Sequence, residues 1–252
     1  MHTVLSDGGS VHEEYIQSAL QKGIKEIGFT DHISLRPVSW ALRADDYGTM
    51  IQSLDKIQHF LTENISVQFG IEVDYFPGRE PEIADLIEKF PADYIIGSVH
   101  FLGDWNYDTD KSLYGKWSND FLYRWYFETL KQAARSGLFD IIGHADLIKK
   151  FGIFPESNQT PLIRETIKVI KKYDLVIEVN TSGLDRPCRE FYPSKTFIEI
   201  CYSEGVPVTL GSDAHKFDEV GRYFKEAIAM LKNIGYKEIA TFNKRDRLMI
   251  AL

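Results

Sequence analysis

VPVTLGSDAH, residues 206–215, decides the fold. It is a short apolar run, rich in β-branched side chains, that passes through a glycine straight into Asp213 and His215. Such a run reads as a buried strand. Alternate residues of an extended segment point the same way, so Asp213 and His215 can reach one place. The pattern recurs. IKEIGFT (24–30) runs into Asp31-His32, DYIIGSV (93–99) into His100, and LFDIIG (138–143) into His144-Ala145-Asp146. SVQFGIEV (66–73) carries Glu72 near its end, and LVIEVN (175–180) closes on Asn180.

Between these runs lie amphipathic stretches near 11–22, 45–63, 80–89, 118–136, 161–173, 194–204 and 218–233. Ser10 and Glu13 have the spacing of a capping box for the first, and Gly23 is its expected stop. Strands alternating with helices imply a parallel sheet, either doubly wound or closed as a barrel. The stretch 101–118, FLGDWNYDTDKSLYGKWS, fits neither pattern and is expected to be a long loop. The tail EIATFNKRDRLMIAL (238–252) is expected to add a strand and a short helix. No linker or fixed-period repeat divides the 252 residues, which are expected to form one domain.

Composition narrows the function. A net charge of −8 argues against a nucleic-acid partner, because phosphate backbones demand basic surfaces. No apolar run approaches the ~18–20 residues of a membrane span. The N-terminus lacks both the basic and the apolar part of a signal peptide. Two cysteines, Cys188 and Cys201, make a disulfide framework improbable and suit a reducing cytoplasm.

Five of the seven histidines (His2, His32, His100, His144, His215) sit at the start or at the C-terminal edge of an apolar run. In an α/β barrel those edges form one face, where active sites are built. Imidazoles gathered with carboxylates suit Zn, Mn or Fe, and a shared carboxylate such as Glu72 can hold more than one ion. The other two histidines, His12 and His59, fall inside expected helices and are read as structural or exposed. No Gly-rich phosphate loop, no Gly-x-Ser-x-Gly elbow and no positioned Cys nucleophile is present.

The stretches HTVLSDG, FTDH, GIEVDY, GSVHFL, IGHADLIKKF, VNTSGLDRP and GSDAH followed by EVG, spread from residue 2 to residue 221, resemble the polymerase and histidinol phosphatase (PHP) superfamily. Within it the chain is most similar to the histidinol-phosphate phosphatases. The resemblance implies a distorted (β/α)7 barrel with up to three divalent metal ions at the strand ends. It implies that Asp213 joins His2 at a first metal, that Glu72 bridges, that His100 and His144 complete a second, and that Asp7, His32 and His215 hold a third. The family's opening His-x-His has its first histidine two residues before His2. The resemblance therefore implies a start upstream of Met1, with the first barrel strand all but outside the sequence.

The activity implied is hydrolysis of a small phosphate monoester, L-histidinol phosphate, in histidine biosynthesis. The attacking hydroxide would be held at Glu72, His100 and His144. Lys150 and Arg186 are expected phosphate clamps, with Arg189 a weaker candidate and Asn180 a substrate-orienting or turn-capping residue. Asp31 is expected to support a neighbouring ligand. Trp105, Tyr107, Trp117 and Tyr192 are candidates for shaping the leaving-group pocket. The alternatives are a PHP phosphoesterase acting on nucleotides or other phosphomonoesters, which the Ser-Asp-Gly at Asp7 favours, and a non-catalytic PHP domain.

Overall fold

A computed structural model describes residues 1–42, 46–57 and 65–252, apart from the side chains of residues 53–57. His59 and the end of the second expected helix lie outside the described residues. In chain order the elements are α1 (His12–Gln21), β1 (Glu26–Ile33), α2 (Tyr47–Ile57), β2 (Ser66–Asp74), α3 (Glu80–Ile87) and β3 (Tyr94–Ser98). A small hairpin, β4 (Phe101–Leu102) and β5 (Trp105–Asn106), precedes α4 (Asn119–Arg135), β6 (Ile141–Ile142) and α5 (Thr160–Lys172). Then come β7 (Val176–Asn180), α6 (Lys195–Glu204), β8 (Val208–Gly211), α7 (Phe224–Ile234) and the hairpin β9 (Glu238–Asn243) and β10 (Asp246–Ala251).

Six strands form one parallel sheet in the order β1-β2-β3-β6-β7-β8. Every apolar run read as a strand is one. The strands β3, β6 and β7 are buried along their whole length, as expected of a parallel sheet covered by helices. Register matters more than strand count here. His32 stands opposite Glu72 across β1 and β2, and Asp74 stands opposite Ser98 across β2 and β3. In-phase pairing thus delivers these polar side chains to one end of the sheet. At that end the chain's first residues join the edge strands: Thr30 N–H donates to Met1 O (2.8 Å), and His2 N–H donates to Ala214 O (3.0 Å). The bulk of the core, including Ile71, Ile142, Ile177, Val179, Phe127 and Phe197, lies between the sheet and its helices.

Four local expectations are corrected. The N-cap of α1 is Val11 rather than Ser10, and Glu14 rather than Glu13 reaches back to the cap N–H (3.0 Å). The Ser10 hydroxyl instead accepts from Phe217 N–H (3.2 Å), a tertiary bond that competes with capping. The last long helix starts at Phe224, not residue 218, because Gly221 and Tyr223 adopt positive φ (66° and 57°) and turn the chain first. The tail forms a hairpin without a helix. Lys244 and Arg245 both have positive φ (50° and 69°), the backbone of a two-residue turn whose twist matches antiparallel strands. The 101–118 stretch is loop apart from the β4–β5 hairpin. Among the described residues no helix is long and apolar enough to cross a membrane, and Cys188 and Cys201 are both buried and unpaired.

Candidate metal centre

Each candidate ligand named from the sequence arrives at the C-terminal end of the sheet by a different route. His32 and Glu72 lie within β1 and β2, while His100, His144, Asp213 and His215 follow β3, β6 and β8. Two of these turns hold non-glycine residues at positive φ, His144 (20°) and Asp213 (48°), an arrangement that costs energy and persists where surrounding contacts over-determine it. Those contacts are visible. The buried Glu178 carboxylate accepts from His144 N–H (2.8 Å), and Arg222 donates to the carbonyls of Ser212 and Asp213 (both 2.9 Å). Gly211 lets Glu178 sit there, since a Cβ at this position would land 1.9 Å from its Oε1. Gly8 works in the same way at the other end. A Cβ there would fall 1.9 Å from His2 O, so only glycine lets the 3–9 turn fold back and present Asp7. The buried Asp31 carboxylate pins that turn through Thr3 N–H (2.6 Å), Thr3 Oγ1 (2.9 Å) and Ser6 Oγ (2.6 Å). Asp31 therefore supports the strand-to-turn segment between His2 and Asp7 rather than a ligand ring.

Glu72 is the hub. Its Oε1 lies 3.0 Å from His144 Nε2, 3.6 Å from His100 Nε2 and 3.8 Å from His32 Nδ1, and its Oε2 lies 3.5 Å from His2 Nε2. His2 Nε2 is 3.1 Å from Asp213 Oδ1, and the His2 ring stacks on His32 with centroids 4.1 Å apart. On the outer side, Asp7 lies 3.3 Å from His215 Nε2 and 3.8 Å from His32 Nε2. Ligand atoms of His2, Asp7, His32 and His215 all lie within 4.8 Å of one another, and so do those of His32, Glu72 and His100. His32 thus belongs to both groups.

The donor set fits divalent metal ions. His100 Nδ1–H donates to Asp74 (2.7 Å), which leaves the Nε2 lone pair facing Glu72 and His144 Nε2 (3.2 Å). A histidine fixed on one nitrogen by a carboxylate while the other faces more donors is a recurrent metal-ligand arrangement. Among the described residues the His2 and His144 Nδ1 atoms are buried without hydrogen-bond partners, and it is the other nitrogen of each ring, Nε2, that faces the cluster. Ser98 Oγ donates to Glu72 Oε1 (2.8 Å), and Ser182 Oγ donates to Asp213 Oδ2 (3.1 Å).

Protonation in the metal-free chain follows from this crowding. Burial and the adjacent His2 ring push His32 down to about 3. Burial also works against charge on His144, but the hydrogen bond and charge of Glu72 outweigh it and raise His144 to about 9. His215 is likewise raised to about 9, with burial overcome by Asp7 and Asp213. Burial would raise Glu72 and Asp213, yet the surrounding histidines hold both carboxyls well below their ordinary range.

Beside the cluster opens a cavity of about 290 Å³ whose wall includes Trp40, Asp108, Lys150, Arg186 and Tyr192. Lys150 and Arg186 therefore line the same cavity as the candidate ligands. Arg189 does not: its guanidinium donates to Leu184 O (3.0 Å), away from the cavity. Asn180 is buried, bonded to Glu178 (3.3 Å) and to Ser182 N–H (3.0 Å), so it shapes a turn and does not line the cavity. Of the four aromatics named, only Tyr192 reaches the wall; Trp105, Tyr107 and Trp117 pack elsewhere. Trp40, which sequence reasoning missed, lies edge-on to His32 and His100. Asp74 was missed as well, although it stands two residues from Glu72 and so on the same strand face. Nothing in the local pattern marked Glu178 or Arg222.

The PHP domain family model matches residues 1–182. A probable histidinol-phosphatase of Deinococcus radiodurans is 34% identical over 237 residues, covering 92% of this chain and 90% of the relative. The histidinol-phosphatase of Lactococcus lactis is 23% identical over 94% of this chain and 90% of its own length. The crystal structure of histidinol phosphate phosphatase from Lactococcus lactis, complexed with Zn, L-histidinol and phosphate, superposes with a TM-score of 0.85 at 20% identity, covering 98% of this chain and 97% of that one. That likeness gives the six curled parallel strands their architecture, the distorted PHP barrel. The chain belongs to the PHP domain family.

Proposed function

We propose that this protein hydrolyses L-histidinol phosphate to L-histidinol and phosphate, as a metal-dependent phosphoric monoester hydrolase of histidine biosynthesis. The observation that carries the reading is one cavity whose lining joins seven of the eight candidate histidine and carboxylate ligands, all but His2, to the cations Lys150 and Arg186. It stands in a chain 34% identical to a probable histidinol-phosphatase along nearly its whole length. The whole chain, residues 1–252, acts as one domain, in the cytoplasm, on a small molecule.

The proposed ligands are His2, Asp7, His32, Glu72, His100, His144, Asp213 and His215, for up to three ions of Zn, Mn or Fe. When bound, such ions supply an activated water and neutralise phosphoryl charge. The chain's own residues supply the rest. Glu72, His100 and His144 hold the site of attack, and Asp74 keeps the His100 proton on Nδ1. Arg186 and Lys150 bind the phosphate oxygens, Arg186 through paired N–H donors. Trp40 and Tyr192 flank the leaving group and exclude water from the far side of the ester.

The test is phosphate release by the purified, metal-loaded protein across a panel of monoesters. L-histidinol phosphate is expected to exceed nucleoside monophosphates and sugar phosphates in kcat/KM by roughly a hundredfold or more, about 2.7 kcal/mol of selective transition-state binding. Equal rates across the panel would replace the reading with that of a general phosphoesterase.

A further inference from the structure

Among the described residues lining the cavity outside the ligand cluster there is one carboxylate, Asp108, and neither the phosphate nor the attacking water needs it. It comes from the 101–118 loop, whose place in the reaction the proposed function leaves open. The loop is held firmly. Tyr107 is buried and its hydroxyl donates to Val99 O, Asp108 N–H donates to Asn106 Oδ1 (3.1 Å), and Trp105 Nε1 donates to Asp110 O (2.8 Å). These bonds hold Asp108 at the cavity wall, where Lys150 Nζ meets its Oδ1 (2.6 Å) and its carbonyl (3.2 Å).

We propose that Asp108 is a specificity residue that recognises a positively charged ammonium group on the alcohol half of the substrate, so that the cavity selects phosphate monoesters of amino alcohols. This rests on the phosphatase reading above and deepens it. The argument is one of charge placement. A phosphate entering beside the metal ligands is a dianion that attracts Lys150 and Arg186. As Lys150 turns toward it, Asp108, whose side chain is only 18% exposed, loses its partner, and an unpaired, mostly buried carboxylate is costly. A substrate that brings its own ammonium restores the lost pair. An ester with an uncharged alcohol leaves Asp108 unpaired, so it is disfavoured by a built-in penalty rather than by lack of fit.

A purely structural role, in which Asp108 only ties the loop to Lys150, would affect every ester alike. Matched substrate pairs separate the two. The metal-loaded protein is assayed with L-histidinol phosphate and its deamino analogue, and with phosphoethanolamine and ethyl phosphate. The native chain is expected to favour the ammonium member of each pair at least tenfold in kcat/KM, which corresponds to ~1.4 kcal/mol. In Asp108→Asn that preference should shrink to about twofold or less, chiefly through KM. Asp108→Glu, which keeps the charge, should retain most of it and serves as the comparison if the Asn variant folds poorly. Failure of the native protein to hydrolyse any of the four esters would overturn the phosphatase reading itself. Hydrolysis with an undiminished ammonium preference in Asp108→Asn would overturn the role of Asp108 and leave the phosphatase reading standing.

Discussion

The inner and outer halves of the ligand cluster are built differently. Glu72, His100 and His144 are each buried to within a few per cent of completely, and each is backed by a further polar group: Ser98 behind Glu72, Asp74 behind His100, and Glu178 behind the backbone of His144. Asp7 and His215 lie at the rim, their side chains 30% and 31% exposed; His215 is backed by Glu219, which accepts from its N–H (2.8 Å), and by Asp213 O, which accepts from its Nδ1 (3.0 Å), so exposure rather than want of support sets the rim apart. Deep ligands with a second layer of support are pre-organised; rim ligands keep more freedom and more water. On the proposed ligand set, the inner part would hold the reaction geometry and the rim would be where ions and product exchange.

The largest expected effect lies at the hub. Glu72→Ala should reduce phosphate release from L-histidinol phosphate by roughly a thousandfold or more, on the order of 4 kcal/mol of transition-state stabilisation. Metal analysis of the dialysed variant should show loss of inner ions. Undiminished turnover with full metal content would end the bridging assignment.

A smaller effect should mark the rim. Asp7→Asn is expected to lose one ion per chain on dialysis against a weak chelator while the inner ions stay. Activity should fall roughly tenfold and recover when metal is added back in excess. Asp74→Asn removes support from an inner ligand, and losses on the order of 10–100-fold in metal affinity are usual for such changes. Excess metal should restore that variant less readily than the Asp7 variant. Equal ease of rescue would erase the distinction between the halves.

The smallest effect is one of pH. In the metal-free chain His144 and His215 titrate near 9, above the ordinary histidine value of 6.5. Their protonated forms therefore contribute stability that is fully present below about pH 6.5 and is lost as pH rises through about 9. The metal-free protein should melt at lower temperature at pH 9 than at pH 7, by roughly 2–4 °C for each kcal/mol lost. Metal ions need these rings deprotonated, so loading at pH 7.5 should release protons, measurable by titration calorimetry in buffers of different ionisation enthalpy. A melting temperature that rises between pH 7 and 9 without metal would contradict the assignment.

The strands themselves and the face carrying the site were legible because apolar runs ended on histidines, and a parallel sheet leaves few ways to arrange such ends. Side-chain direction was less legible. Asn180 follows a strand end as Lys150 and Arg186 follow theirs, but it lies two residues from Glu178 and turns inward with it. Arg189, only three residues past Arg186, sits at positive φ (53°) and is turned toward Leu184. Helix capping slipped by one residue because Ser10 is used by a partner 207 positions away. Glu178 and Arg222 support ligands by contacts that exist only after folding, so no local pattern announces them.

The pairing of His32 with Glu72 across β1 and β2 has a consequence for how this sequence can change. Both strands run in step, from Glu26 opposite Ser66 to Ile33 opposite Val73, and six pairs precede the ligand pair. Adding or deleting one residue anywhere in either run would shift a ligand by about 3.3 Å and turn it to the opposite face of the sheet. Length variation among viable descendants should therefore collect in connections away from the cavity and spare the stretches that count out the distance to the ligands. The strands act as rulers, and a ruler tolerates new markings more easily than a new length.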